Sequence, residues 1–304
     1  MDLSIIVVSW NTRELLRACL DSVLANPPAC SYDVWVVDND SSDGSAEMVQ
    51  AAYPQVHLIV NAENVGFAGA NNQAIRASNG RYLLLLNPDT DVQPDGLTSL
   101  VAFLEQHPEA GGAGSMLLNP DRSLQLSCHP LPSLSRELWR LLHGDRLLAY
   151  AVYPMDAWDV ETPQPVDIVQ GASLMLRRDI LDRVGLLDDS YFMYSEEVDL
   201  CYRIKKAGWQ LYWVPQSKVI HYGGQSTKQV AADMFIELYR GKLAYFRKNY
   251  GRAAAQIYKL ILTVTALPRV TAAPLLGHLS PAKRTEYEAL GANYRRLLHE
   301  LPGL

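Results

Sequence analysis

The sequence predicts an α/β fold, a mostly parallel sheet flanked by helices, with a helical C-terminal extension. Three observations predict it. Over the first 110 residues, short apolar runs alternate with stretches of helical periodicity, the βαβ pattern of a parallel sheet. The runs are continuous rather than alternating, as in strands buried on both faces. After Lys228 strand signals fade and helical spacing takes over.

Each element has its own justification. Leu3–Ser9 is β-branched and reads as a buried strand. Its leading segment lacks a basic n-region and its apolar stretch ends at Ser9, so a strand is expected there rather than a signal peptide. Asn11 with Glu14 three residues on forms a capping-box pattern for a helix through Leu24, which Pro27-Pro28 stops. A strand over 34–37, a polar turn over 38–45, a helix to Tyr53 and a strand over 56–60 follow. A helix over 66–78, a strand over 82–86 and a helix from Pro94 to His107 complete the alternation. Strands are expected at 110–118, 166–177 and within 209–221. Helices are expected at 135–148, 179–187 and 196–207. The stretch 119–165 otherwise reads as loops over the sheet, placed to act as a lid.

Composition excludes several classes. Twenty-seven Lys and Arg against 33 Asp and Glu give a net charge of −6, which argues against a nucleic-acid backbone binder. Cys19, Cys30, Cys128 and Cys201 make no CxxC pair, so reduced thiols are expected. No uncharged apolar run reaches the ~18 residues needed to span a bilayer. No GxGxxG follows the first strand and no P-loop occurs, which disfavours dinucleotide oxidoreductases and P-loop NTPases. A nucleotidyltransferase would place a Gly- and basic-rich loop where Ser9-Trp10-Asn11-Thr12 stands.

Open parallel sheets bind ligands beyond the C-terminal ends of their strands. Those positions hold Ser9-Trp10-Asn11, Asp38-Asn39-Asp40, Asn61–Gly66 and Asn87–Asp91. Any one segment suits an ordinary turn, but four successive polar strand ends share one rim. Asp89 and Asp91 can offer oxygens to a hard divalent cation, Mg²⁺ or Mn²⁺, that bridges a diphosphate; an Asx-turn is the plainer reading. Glu196, Glu197 and Asp199 crowd one helix start beside Tyr191, Phe192 and Tyr194. Crowding raises the proton affinity of one carboxylate, which suits a general base, although a helix dipole also favours acids there. His221, ahead of Gly223-Gly224, is either a buried hydrogen-bonding residue or a ligand.

Taken together, these motifs resemble glycosyltransferase family 2, the inverting transferases of the GT-A fold, and most closely its bacterial rhamnosyltransferase-like members. The resemblance covers residues 2–225 and rests on Ser4–Asn11, Val36–Asn39 with Ser42–Ser45, Asn64–Ala68 and Leu86–Asp89. It continues through Gly171–Met175, Phe192–Leu200, Gly208-Trp209 and His221 with Gly223-Gly224. It implies a Rossmann-like sheet in a catalytic domain over 1–228, with a helical extension over 229–304. It implies a nucleotide-diphosphate sugar donor, dTDP- or UDP-linked. Ser9, Trp10, Asn11, Asp38, Asn39, Asp40, Asn64, Gly66, Asn71, Asn87 and Asp89 would line the donor. Asp89, Asp91 and His221 would hold the metal. Gly171, Ala172, Ser173 and Tyr194 would border a glycan or lipid-linked acceptor. Family members usually read Glu-Asp where this chain has Glu196-Glu197, so Glu197 is the expected base, with Glu196 or Asp199 as alternatives. A decayed, non-catalytic sugar-nucleotide binder is the competing class.

The tail mixes Tyr239, Lys242, Tyr245, Arg247 and Lys248 on one helix, and Ile257–Leu267 is apolar between Lys259 and Arg269. Contact with an anionic membrane surface, packing on the domain and pairing with a second copy all remain open. The expected location is the cytoplasm, with a peripheral position on the inner face of the cytoplasmic membrane as the option the first of these readings adds.

Overall fold

A computed structural model describes residues 1–224, 227–279 and 281–304. The chain forms two compact units. One comprises Met1–Leu131, Tyr153–Phe192 and Glu196–Gln229; the other comprises Pro132–Val152, Met193–Ser195 and Val230–Leu304. The segment 132–152, read from sequence as part of a loop region over the sheet, thus groups with the C-terminal helices.

The first unit opens with the alternation the sequence implies: β1 (Leu3–Ser9), α1 (Arg13–Ala25), β2 (Tyr32–Asp38), α2 (Ser45–Ala52), β3 (His57–Val60), α3 (Gly66–Ala77) and β4 (Tyr82–Leu86). Then come β5 (Thr90–Val92), α4 (Gly96–Gln106), β6 (Ala110–Leu118) and β7 (Cys128–His129). In the second unit lies α5 (Leu134–Leu141). The first unit resumes with β8 (Gln164–Val166), β9 (Ile168–Val169), β10 (Ser173–Arg177), α6 (Arg178–Val184), α7 (Glu196–Lys206) and β11 (Gln210–His221). The second unit ends with α8 (Ala231–Leu279) and α9 (Arg284–Glu300).

The main sheet runs β3-β2-β1-β4-β10-β6-β11-β5, with β8 beside β11. β3, β2, β1 and β4 are parallel, β10 is antiparallel between β4 and β6, and β11 returns parallel to β6. β7 and β9 pair separately. Every residue of β1 and β4 is buried. Leu3, Ile5, Val7, Leu84 and Leu86 join one core with α1, α2 and α4, whereas Ile6, Val8, Leu83 and Leu85 join the other with α3 and α7. Successive residues of a strand point to opposite faces, so a continuous apolar run feeds two helical layers at once.

Three expectations are corrected. Asn11 does not cap α1: its φ of +51° is left-handed, and Thr12 takes the cap position without a side-chain bond. The capping is supplied from the next loop, where Asp43 Oδ2 accepts from Arg13 N at 2.8 Å. The strand expected over 166–177 is three short pieces, β8 to β10, because the chain changes partners from β11 to β7 to β4 and β6. The helix expected from Pro94 starts at Gly96, after Asp95 at φ +60°.

In the second unit α8 breaks at Gly251, whose φ of +88° and ψ of 172° interrupt the helix. Glu137 of α5 is buried and accepts from Lys242 Nζ and Tyr258 Oη, both at 3.0 Å, which ties α5 to α8. Among the described residues no helix is long and apolar enough to cross a membrane.

Candidate functional site

The site is built where the parallel strands end. The loops after β1 and β2 are laced together: Asn39 N donates to Ser9 O at 2.8 Å, Asn11 N to Ser41 Oγ at 2.9 Å, and Ser42 N to Asn11 Oδ1 at 2.8 Å. Ser9 itself is fully buried, with its hydroxyl on Thr12 Oγ1 at 3.0 Å. Trp10 is half-buried, and Asp40, at φ +67°, is exposed.

Asp38 closes β2 and is 1% exposed. Its Oδ1 accepts from Ser41 N at 3.0 Å, while the buried Oδ2 has no hydrogen-bond partner. Burial pushes its carboxyl above the usual aspartate value. A buried acceptor without a partner can receive a donor from a ligand.

Asn39 organises the loop after β3. Its Nδ2 donates to Asn64 Oδ1 at 2.7 Å, and its Oδ1 accepts from Asn61 Nδ2 and Val65 N. Asn64 Oδ1 also takes Gly66 N at 3.0 Å. Asn71, on α3, returns its amide to Phe67 O at 2.8 Å, within its own helix. Gly66 has φ +77°, and a Cβ there would lie 2.4 Å from Phe192 O. Gly66→Ala therefore combines left-handed strain with a backbone clash and is expected to cost about 2–3 kcal/mol, read as a lower denaturation midpoint.

The end of β4 carries Asn87 and Asp89. Asp89 Oδ1 lies 3.3 Å from His221 Nε2, and both side chains are about 5% exposed. Gln125, which the sequence did not single out, fixes the imidazole. Its Nε2 donates to Asn119 Oδ1 and His221 O, so its Oε1 faces His221 Nδ1 at 2.6 Å and requires a proton there. Nε2 then faces the Asp89 carboxylate, so an imidazole nitrogen and a carboxylate oxygen converge where they could hold a cation. Asn87 Nδ2 lies 3.4 Å from the same nitrogen. Asp91 sits on β5 opposite Ile220, and among the described residues no three His, Cys, Asp or Glu side chains gather as a metal-ligand set. The structure thus brings together two of the three expected ligands.

Glu196, Glu197 and Asp199 open α7. Glu196 is buried with no partner on Oε2, and burial, reinforced by the charge of Glu197 beside it, pushes its carboxyl well above the usual range. An acid whose proton affinity is higher in the folded than in the unfolded state loses stability as pH rises from about 4.5 through the folded value. Glu196→Gln removes that penalty. Its advantage in urea unfolding over the natural protein is expected to widen from pH 4.5 toward neutrality.

Glu197 lies against Gly171: a Cβ on Gly171 would sit 3.9 Å from Glu197 Cβ and 3.5 Å from the Phe67 ring. Ala172 O accepts from Asn87 N at 3.0 Å, so residues 171–172 adjoin the end of β4. The Ser173 hydroxyl is buried and bonds to Ser115, which also bonds to Ser217, each at 2.7 Å. Tyr194, at φ +66°, falls in the second unit. Asp199 is fully buried and accepts from Arg203 Nε at 2.8 Å. The rest of that guanidinium donates to Val184, Gly185 and Leu186 carbonyls. Breaking such a pair leaves buried charge, so Asp199→Asn is expected to cost about 3 kcal/mol while kcat of the folded protein is retained, as measured by unfolding and turnover.

Cys19, Cys128 and Cys201 are buried, which pushes each thiol up to about 12, so none offers a thiolate at neutral pH.

The model of the family described as "Glycosyl transferase family 2" matches residues 4–185. The N-acetylglucosaminyl-diphospho-decaprenol L-rhamnosyltransferase of Mycobacterium tuberculosis is 31% identical over 214 residues, 64% of this chain and 67% of that protein. The rhamnosyltransferase WbbL of Escherichia coli (strain K12) is 26% identical over 239 residues, 76% of this chain and 87% of that protein. Among solved structures, the mannosyltransferase PcManGT from Pyrobaculum calidifontis, in complex with GDP-Man and Mn²⁺, superposes with a TM-score of 0.60 at 18% identity, covering 97% of this chain and 86% of that one. That likeness carries the GT-A-like fold alone. With a family model covering more than half its length and these motifs at its strand ends, the chain belongs to glycosyl transferase family 2.

Proposed function

We propose that this family 2 enzyme is a metal-dependent inverting transferase. It moves rhamnose from a dTDP- or UDP-linked donor to a hydroxyl of a glycan or lipid-linked acceptor in surface polysaccharide synthesis. The observation that carries the reading is the Asp89–His221 pair, two buried electron-rich side chains converging at the end of β4. The rhamnosyl assignment takes its support from the two named relatives.

Asp38 Oδ2 accepts an N–H of the donor base, and the Asn39-ordered loop 61–66 lines the nucleotide with Ser9–Asn11. Asp89 and His221 would hold Mg²⁺ or Mn²⁺, which when bound offsets the charge of the diphosphate; the neighbour solved with Mn²⁺ supports this. Glu197 takes the proton from the acceptor hydroxyl as that oxygen attacks the anomeric carbon opposite the departing nucleotide. Glu196, whose carboxyl burial pushes well above the usual range, stands beside Glu197 and is placed to donate toward it when protonated. Gly171, having no side chain, leaves room beside Glu197 for the acceptor.

The test is a thermal-shift panel of nucleotide-sugars with Mg²⁺, Mn²⁺ or chelator, followed by product detection. Metal-dependent stabilisation by a rhamnose donor, with transfer, is expected. Stabilisation by another hexose or N-acetylhexosamine donor alone overturns the sugar assignment. Binding without turnover to any acceptor tried favours a non-catalytic binder.

A further inference from the structure

We propose that the second unit docks the protein on an anionic lipid surface through the outward face of α8. Four observations converge on it.

The chain is acidic overall, yet from Leu238 to Thr285 it carries nine lysines and arginines and no aspartate or glutamate. Inside the unit Arg240 pairs with Glu237 and Glu300, Lys242 with Glu137 and Arg284 with Glu288; the run as a whole stays basic, which complements anionic headgroups.

The same helix has two apolar faces. One holds Ala255, Tyr258, Leu262 and Ala266, all buried within the unit. The other holds Ile257, Leu260, Val264 and Leu267, at the i, i+3, i+7, i+10 spacing of a single helix face, and Leu275 two turns further on. These five are 49% to 63% exposed. A helix that has already buried one stripe gains nothing in water from a second, so the outer stripe has the character of an interaction surface.

The apolar surface extends beyond α8. A groove of about 570 Å³ is lined by Leu138, Leu142, Val264, Pro268, Tyr287 and Leu290. Leu142 in that lining, and Leu147 and Leu148 a few residues on, are 61%, 88% and 64% exposed. Lys259 lies on α8 between the two apolar faces and donates to Pro302 O at 3.3 Å, an exposed bond that its long side chain can exchange for a headgroup phosphate.

Finally, no described helix is fit to cross a bilayer. The arrangement is that of a unit that lies on a membrane rather than through it. The purpose of docking rests on the reading above, since a lipid-linked acceptor is found in that layer; the binding itself does not.

The experiment uses the full chain with phosphatidylcholine vesicles, with and without phosphatidylglycerol, read by co-sedimentation. Binding to the phosphatidylglycerol vesicles, weakened by salt, is expected. The double variant Leu260→Glu, Leu267→Glu should lose at least roughly tenfold in partitioning with an unchanged melting temperature. The milder pair Leu260→Gln, Leu267→Gln serves if the glutamates lower the melting point. No partitioning by the natural protein overturns the proposal, as does equal partitioning by a folded variant. A natural dimer that becomes monomeric on these substitutions, without vesicle binding, overturns it in favour of an interface between copies. None of these readouts depends on sugar transfer, so failure here is separable from failure of the enzymatic reading.

Discussion

Glu197→Gln is expected to lower kcat by about 10²–10⁴-fold, the usual contribution of a positioned general base. Donor affinity should stay within a few-fold of the natural protein, because glutamine keeps the side-chain volume beside Gly171 and Phe67. The asymmetry is the informative part. A residue that only bound the donor would raise KM, and one that only supported the fold would lower both activity and melting temperature. Glu196→Gln is the internal control: its amide can still donate toward Glu197, so activity should largely survive where Glu197→Gln loses most of it. Isothermal titration of the donor beside steady-state kinetics reads both.

Asp89→Ala is expected to remove the metal dependence of donor binding. The donor should no longer raise the melting temperature more in Mn²⁺ than in chelator, and kcat/KM should fall by about 10²-fold or more, the scale of several kcal/mol of lost charge stabilisation. The variant leaves His221 bonded to Gln125, so the fold around β11 has no reason to fail. Asp91→Ala provides the contrast. Asp91 lies on β5 opposite Ile220, outside the Asp89–His221 pair, and its removal should affect metal-dependent binding far less. Equal losses in the two variants would restore the pair of aspartates as joint ligands.

Much of this was legible in the sequence, for physical reasons. The β-branched run in Leu3–Ser9 and the four leucines closing Tyr82–Leu86 mark strands covered on both faces, and the structure buries every residue of both. Polar residues immediately after such strands stand at a predictable rim. Long-range pairing was not legible. Nothing local in Ser173–Arg177 states that it inserts antiparallel between β4 and β6. Nor does Thr90–Val92, only three residues long, announce a strand. The capping-box pattern at Asn11 misled because Asp43, thirty residues from Arg13, supplies the acceptor.

The site divides the same way. Asp89 and His221 stood out individually, but Gln125, which sets the histidine tautomer from 96 residues away, carried no sequence signal. For Asp199 a signal was present: Arg203 lies four residues on, the spacing of a helical ion pair, and that pair accounts for its burial better than catalysis does.

The proposed reaction is a single displacement at the anomeric carbon, assisted by Glu197. It is tested most directly by the anomeric configuration of the product relative to the donor, read by NMR on the isolated glycoside. Opposite configurations in donor and product are expected. Retention of configuration would contradict it, because it requires a second displacement and a nucleophile that the arrangement around Glu197 and Gly171 is not assigned to provide.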